Sequence, residues 1–263
     1  MKTIRCGRVD LNVLDQGIGR PVLLVHGFPL DHRMWRRQVE ALSPTYRVIA
    51  PDLRGFGGSG GTAGTVTMEE FADDLNLLLD GLEVAEPVTF CGLSMGGYIA
   101  WQFCKKYPAR LRSLVLADTR AAADTPEAAR KRHETAQRVL AKGVEDVAKD
   151  MVPKLFARGT LERQPELVES VRQVMLAASP EGVAAALLGM AARPDFTGEL
   201  GRIEVPTLIL VGAEDAICPP KEMRSIADAI KGARFVEVAE AGHMSPLENA
   251  EAFNAALEEF LAA

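Results

Sequence analysis

The sequence predicts an α/β protein built on a mostly parallel sheet, and three observations carry that prediction. Short β-rich runs alternate with helical patterns along most of the 263 residues, the order produced when strands are joined by crossover helices. Most of these runs are apolar at successive positions, as strands covered on both faces require. After Ala117 the alternation stops, and an entirely helical stretch replaces it.

Taken in order, Val9-Asp10-Leu11-Asn12-Val13 alternates with period two and reads as a half-exposed strand near a sheet edge. Pro21–Val25, Tyr46–Ala50, Pro87–Cys91, Ser113–Ala117 and Pro206–Val211 follow as strands, most of them largely apolar, and Arg234–Val238 completes the series. Between them, Phe71, Leu75, Leu78 and Leu82 share one face of a helix over about Met68 to Leu82. Thr67 and Glu70 form a capping box at its start. From 119 to 201 the chain is rich in Ala, Arg and Glu, and Pro126, Pro153, Pro165, Pro180 and Pro194 divide it into four expected helices. An all-helical insert between sheet strands is most simply a cap over the C-terminal edge of the sheet, where open α/β sheets bind ligands. The expected organisation is one core in two parts, 1–118 and 202–263, interrupted by a cap at 119–201.

Composition excludes several classes of function. Lys and Arg total 30 against 36 Asp and Glu, a net charge of −6, which argues against nucleic acid as a partner. With 48% hydrophobic and 25% charged residues the chain is that of a folded globular protein. The N-terminus shows no apolar signal region, and the longest apolar stretch, Gly182 to Ala192, falls short of the roughly 20 residues a bilayer span needs. A cytoplasmic location without membrane contact is expected. Cys6, Cys91, Cys104 and Cys218 have neither CxxC pairing nor Cys/His ligand spacing, so free, buried thiols are expected and no metal site. The glycine-rich run Gly55–Gly61 follows a strand, but the next helix begins only near Thr67, so no phosphate loop and no cofactor are implied.

The chemistry concentrates in Gly92-Leu93-Ser94-Met95-Gly96-Gly97, a G-x-S-x-G sequence between a buried strand and a helix. So sharp a turn is expected to force Ser94 into strained backbone angles that project its hydroxyl, with glycines where side chains would collide. A serine nucleophile needs a base. Of four histidines, His133 lies in a charged run, His32 reads as exposed at the start of the first helix, and His26 reads as structural. His243 lies in a loop after the last strand, on the same sheet edge as Ser94. For the orienting acid, Asp215 lies just beyond the Pro206–Val211 strand and is preferred, with Asp118 at the end of the neighbouring strand as competitor. The oxyanion donors expected are the backbone N–H groups of Met95 and of Phe28, in the loop His26-Gly27-Phe28-Pro29.

His26-Gly27-Phe28-Pro29, Asp52-Leu53-Arg54-Gly55-Phe56-Gly57-Gly58-Ser59, the Ser94 elbow and the late Asp215 and Gly242-His243 occur in one order along nearly the whole chain. In this the sequence resembles the α/β-hydrolase superfamily, and within it the bacterial carboxylesterase and 3-oxoadipate enol-lactonase-like group. The resemblance implies an eight-stranded, mostly parallel sheet with helices on both faces and a helical cap after the sixth strand, and it supports Asp215 over Asp118. It implies a serine carboxylesterase, with an enol-lactonase or acyl-homoserine-lactonase as the alternative. The apolar residues near the catalytic loops read as a pocket of modest size, hence small or medium esters. Pro29 resembles the perhydrolase relatives, which implies peracid formation as a side activity. A non-catalytic ligand-binding protein is the alternative of another class. Ile217 and Met244 adjoin the catalytic loops and are pocket candidates. Arg120 is either an anchor for a substrate carboxylate or the partner of an acid in the cap.

Overall fold

The computed structural model describes residues 1–61 and 63–263. Its sheet has eight strands: β1 (Lys2–Cys6), β2 (Val9–Gln16), β3 (Pro21–Val25), β4 (Arg47–Pro51), β5 (Val88–Leu93), β6 (Leu111–Ala117), β7 (Thr207–Gly212) and β8 (Arg234–Val238). Their spatial order is β1-β2-β4-β3-β5-β6-β7-β8. β1 and β2 pair antiparallel, as do β2 and β4, and all remaining pairs are parallel. β3, β5 and β7 are buried along their whole length, so burial on both faces accounts for their continuous apolar text. β1 is the one strand of the eight that no run read from the sequence locates. Its Lys-Thr-Ile-Arg-Cys text is exposed at the sheet edge and lacks an apolar face of its own, and β2 supplies the pairing through Ile4 with Leu11 and Cys6 with Val9.

Helices α1 (Arg36–Leu42), α2 (Met68–Gly81) and α3 (Met95–Lys106) connect the first strands. In α2 the capping box forms as expected: the Glu70 amide donates to the Thr67 hydroxyl, and the Thr67 amide donates to the Glu70 carboxylate at 2.8 Å. Between β6 and β7 stand five helices instead of the expected four: α4 (Pro126–Lys142), α5 (Glu145–Leu155), α6 (Arg158–Arg163), α7 (Pro165–Leu176) and α8 (Pro180–Ala191). Pro126, Pro165 and Pro180 open α4, α7 and α8, where proline has no lost hydrogen bond to suffer. Pro153 does not separate helices and lies inside α5. The break between α4 and α5 comes from Gly143, whose φ of +87° ends α4. Helices α9 (Pro220–Ala229), α10 (Ser245–Glu248) and α11 (Ala250–Ala262) complete the chain.

The insert rests on the loops at the strand ends through close backbone contact. A Cβ on Gly182 of α8 would lie 2.0 Å from the Gly55 carbonyl oxygen, and one on Gly189 would lie 1.8 Å from that of Val66. Val66 N–H donates to the Ala185 carbonyl in the same seam. An open groove of about 820 Å³, lined in part by Leu30, Met34, Leu167, Val171 and Val174, separates α7 from the region of α1. All four cysteines are free, with Cys104 half-buried and the others buried. Among the described residues no single helix is long and apolar enough to cross a membrane.

Candidate active site

Ser94 occupies the turn between β5 and α3 with φ +54° and ψ −113°, a strained conformation for a residue with a side chain. The neighbours leave no alternative. A Cβ on Gly92 would lie 2.4 Å from the Gly96 carbonyl oxygen, and one on Gly96 would lie 2.3 Å from that of Val25. The end of β6 holds the turn in place: Ser94 N–H donates to the Ala117 carbonyl at 2.9 Å, and the Thr119 hydroxyl donates to the Ser94 carbonyl at 2.7 Å.

The loop after β3 passes directly beside the serine. A Cβ on Gly27 would lie 2.8 Å from Leu93 and 3.4 Å from the Ser94 Cβ. His26 is fully buried, and its Nε2 accepts from Leu53 N–H at 2.9 Å while Nδ1 faces the Gly27 carbonyl at the same distance. Nδ1 is therefore assigned the proton. Burial lowers the pKa of this ring, although the Gly27 carbonyl works the other way, and the neutral imidazole acts as a strut between two loops. Among the described residues, neither the Phe28 nor the Met95 amide donates a hydrogen bond within the protein.

On the other side, the loops after β7 and β8 meet. A Cβ on Gly212 would lie 1.9 Å from the Gly242 carbonyl oxygen. His243, 3% exposed, places Nδ1 2.8 Å from Asp215 Oδ2. Asp215 Oδ1 accepts from Ile217 N–H at 2.7 Å and Cys218 N–H at 2.9 Å, which fixes the carboxylate. The structure thus brings His243 to Asp215, while the Ser94 hydroxyl, partly exposed, makes no hydrogen bond among the described residues.

Asp118 lies behind this pair. It accepts from Gly212 N–H at 2.8 Å and from the Ser245 hydroxyl, and among the described residues it makes no hydrogen bond to His243. Complete burial pushes its carboxyl well above the usual range, and the nearby Asp215 charge adds to the effect. Cys218 is likewise raised well above an ordinary thiol, first by burial and then by Asp215, which keeps it protonated and unreactive.

Two sets of side chains bring metal-binding atoms within 4.8 Å of one another: Asp215, Cys218 and His243, and Asp31, His32 and Asp52. In the first, carboxylate and imidazole already bind each other. In the second, Arg33 grips Asp31, and Asp52 accepts from His32, Asn12 and Gly58. His32 is therefore not the exposed residue the sequence suggested. It is half-buried, with Nδ1 2.5 Å from Asp52. Burial alone would raise the Asp52 carboxyl, but the donors around it prevail and hold it well below the usual range. The pair escapes sequence reading because its members lie on different loops, 20 positions apart.

Ile217 is half-buried beside Asp215, whereas Met244 is fully buried within the hydrophobic core. Arg120 donates to the Ile217 carbonyl and stands 3.3 Å from Glu222. Its acidic partner belongs to α9, not to the insert, and it braces the loop that carries Asp215.

Comparison with known proteins places the chain in a family. A family model described as the alpha/beta hydrolase fold matches residues 20–250. The chain belongs to the α/β-hydrolase family. Among curated relatives, 3-oxoadipate enol-lactonase 2 of Acinetobacter baylyi is 32% identical over 258 residues, covering 97% of this chain and 94% of the relative. Among solved structures, a thermophilic esterase from Thermogutta terrifontis with malate bound is 47% identical at a TM-score of 0.97, covering 99% of this chain and 97% of that one. The enol-lactonase from Burkholderia xenovorans LB400 is 31% identical at a TM-score of 0.93, with both chains covered in full. These α/β-hydrolase relatives and the shared fold support hydrolase activity toward esters or lactones.

Proposed function

We propose that the protein is a serine carboxylesterase acting on small or medium esters through an acyl-serine intermediate. The observation that carries this reading is Ser94 at φ +54°, set beside the loop of Phe28 and followed by Met95, two amides that find no acceptor among the described residues. The hydrogen-bonded pair Asp215–His243 supports the rest. In this mechanism His243 Nε2 takes the Ser94 proton as the hydroxyl attacks the ester carbonyl, through a hydrogen bond that forms when substrate binds. Asp215 keeps the proton of the resting imidazole on Nδ1 and stabilises the imidazolium. The amides of Phe28 and Met95 hold the oxyanion. The alcohol leaves with the proton returned by His243, and water activated by the same imidazole cleaves the acyl-enzyme. Residues 119–201 act as the cap that covers the site.

The enol-lactonase relatives favour a second reading of the same chemistry, in which the ester is internal to a ring. One experiment addresses both: turnover of p-nitrophenyl acetate and butyrate, enol-lactones and homoserine lactones, with and without peroxide. Ser94→Ala is expected to abolish turnover while leaving the circular dichroism spectrum unchanged. Wild-type rates in that variant would overturn the proposal. Labelling of Ser94 by a fluorophosphonate without turnover of any ester would mark a ligand-binding protein.

A further inference from the structure

We propose that Glu248 ties the seating of the cap to the position of His243, and so is a positioning residue for the hydrolysis proposed above, on which this role rests. Glu248 is buried at the end of α10, five positions beyond the histidine. Its Oε1 accepts from Gly242 N–H at 2.8 Å and from Met244 N–H at 3.2 Å, the two amides that flank His243. Its Oε2 accepts from Ala157 N–H at 2.7 Å, in the link between α5 and α6 of the cap. The Thr160 hydroxyl of α6 faces the same carboxylate.

The two segments also touch without its help. Met244 N–H donates to the Leu155 carbonyl at 3.1 Å, and a Cβ on Gly242 would lie 2.6 Å from the Ala157 nitrogen. Among the described residues, Glu248 alone accepts from both segments through one side chain. Among the described residues it has no cationic partner, so its charge is balanced by donors from the histidine loop on one oxygen and from the cap on the other. A carboxylate accepts on both oxygens, whereas an amide accepts on one and donates from its nitrogen. Glutamine can therefore serve either the histidine loop or the cap, but not both. Seating of the cap and placement of the imidazole are linked through this requirement.

The test cuts the link from each side. Glu248→Gln removes one acceptor. Ala157→Pro removes the donor of the cap and puts the ring Cδ where Glu248 Oε2 now accepts, which forces the two apart. Ala157 has φ −58° and ψ 151°, and Phe156 has φ −116° and ψ 148°, both compatible with proline at 157. Each variant is expected to lower kcat for p-nitrophenyl butyrate by about 10- to 100-fold with KM little changed, the scale of a misplaced catalytic group. The double variant is expected to fall no further than the worse single, because both cuts sever one connection. Hydrogen exchange in either variant is expected to accelerate at 155–160 and at 242–244 together, with β5 and β6 still protected. Additive losses of kcat, wild-type kcat in both singles with a lowered Tm, or faster exchange only on the mutated side would each overturn the link. The exchange measurement needs no turnover. A wild-type protein that hydrolyses no ester would sink the proposed function alone, and exchange would still judge the link. Thr160→Val, which replaces the hydroxyl with a methyl of similar size, gives the same exchange readout should the proline variant fold poorly.

Discussion

At the scale of single residues, two buried carboxyls with similar sequence credentials acquire different characters. Asp215 has one oxygen fixed by backbone amides and the other on His243, whereas Asp118 is turned toward Gly212 and Ser245. The elevated pKa of Asp118 favours its neutral acid, which an asparagine imitates. Asp118→Asn is therefore expected to retain most ester hydrolysis. Asp215→Asn is expected to lose on the order of 10⁴-fold in kcat, because the imidazole then takes the wrong tautomer. Equal losses in steady-state assays of the two variants would reverse the assignment. Sequence could name both acids because each follows a strand ending at the same edge. Position favours Asp215, but the side-chain directions that bring it to His243 and turn Asp118 away are not written in position. Glu248 was missed for a related reason. A glutamate soon after a Gly-His loop reads as a solvated helix residue until the insert is folded against it.

At the scale of elements, legibility follows how local the cause is. The capping box of α2 lies within four consecutive positions, Thr67 to Glu70, and forms as the sequence indicates. Thr67→Ala is expected to cost about 1 kcal/mol in urea denaturation with kcat unchanged. A shift in kcat would show that α2 does more than support the sheet. The buried strands were legible because burial on both faces writes itself into every position. β1 was not, because partner strand β2 causes it and its own five residues carry little apolar text. In the insert the proline pattern was legible but overvalued. Proline marks helix starts at 126, 165 and 180, while at 153 it is carried within α5, and the missed boundary is written by a glycine.

At the scale of the whole molecule, charge acts through buried pairs more than through the net −6. Asp52 joins β2, the loop after β3 and the glycine-rich loop after β4 by accepting from Asn12, His32 and Gly58. Its folded pKa lies below the ordinary 3.8 of the unfolded chain. Its contribution to stability is therefore complete above 3.8 and declines as pH falls from there toward the folded value. Asp52→Asn is expected to be less stable than wild type near neutrality, with the gap narrowing below pH 3.8 in denaturant titrations run at a series of pH values. A gap that stayed constant with pH would assign the loss to packing instead of ionisation. The seam beneath the insert has a consequence for how such a protein can change. At Gly55 with Gly182, at Val66 with Gly189 and at Gly242 with Ala157, backbone rests on backbone with no side chain between. These contacts act as fixed stops. They fix how closely the insert approaches the loops at the strand ends whatever side chains it carries elsewhere, so its surface residues can be exchanged while the frame stays the same.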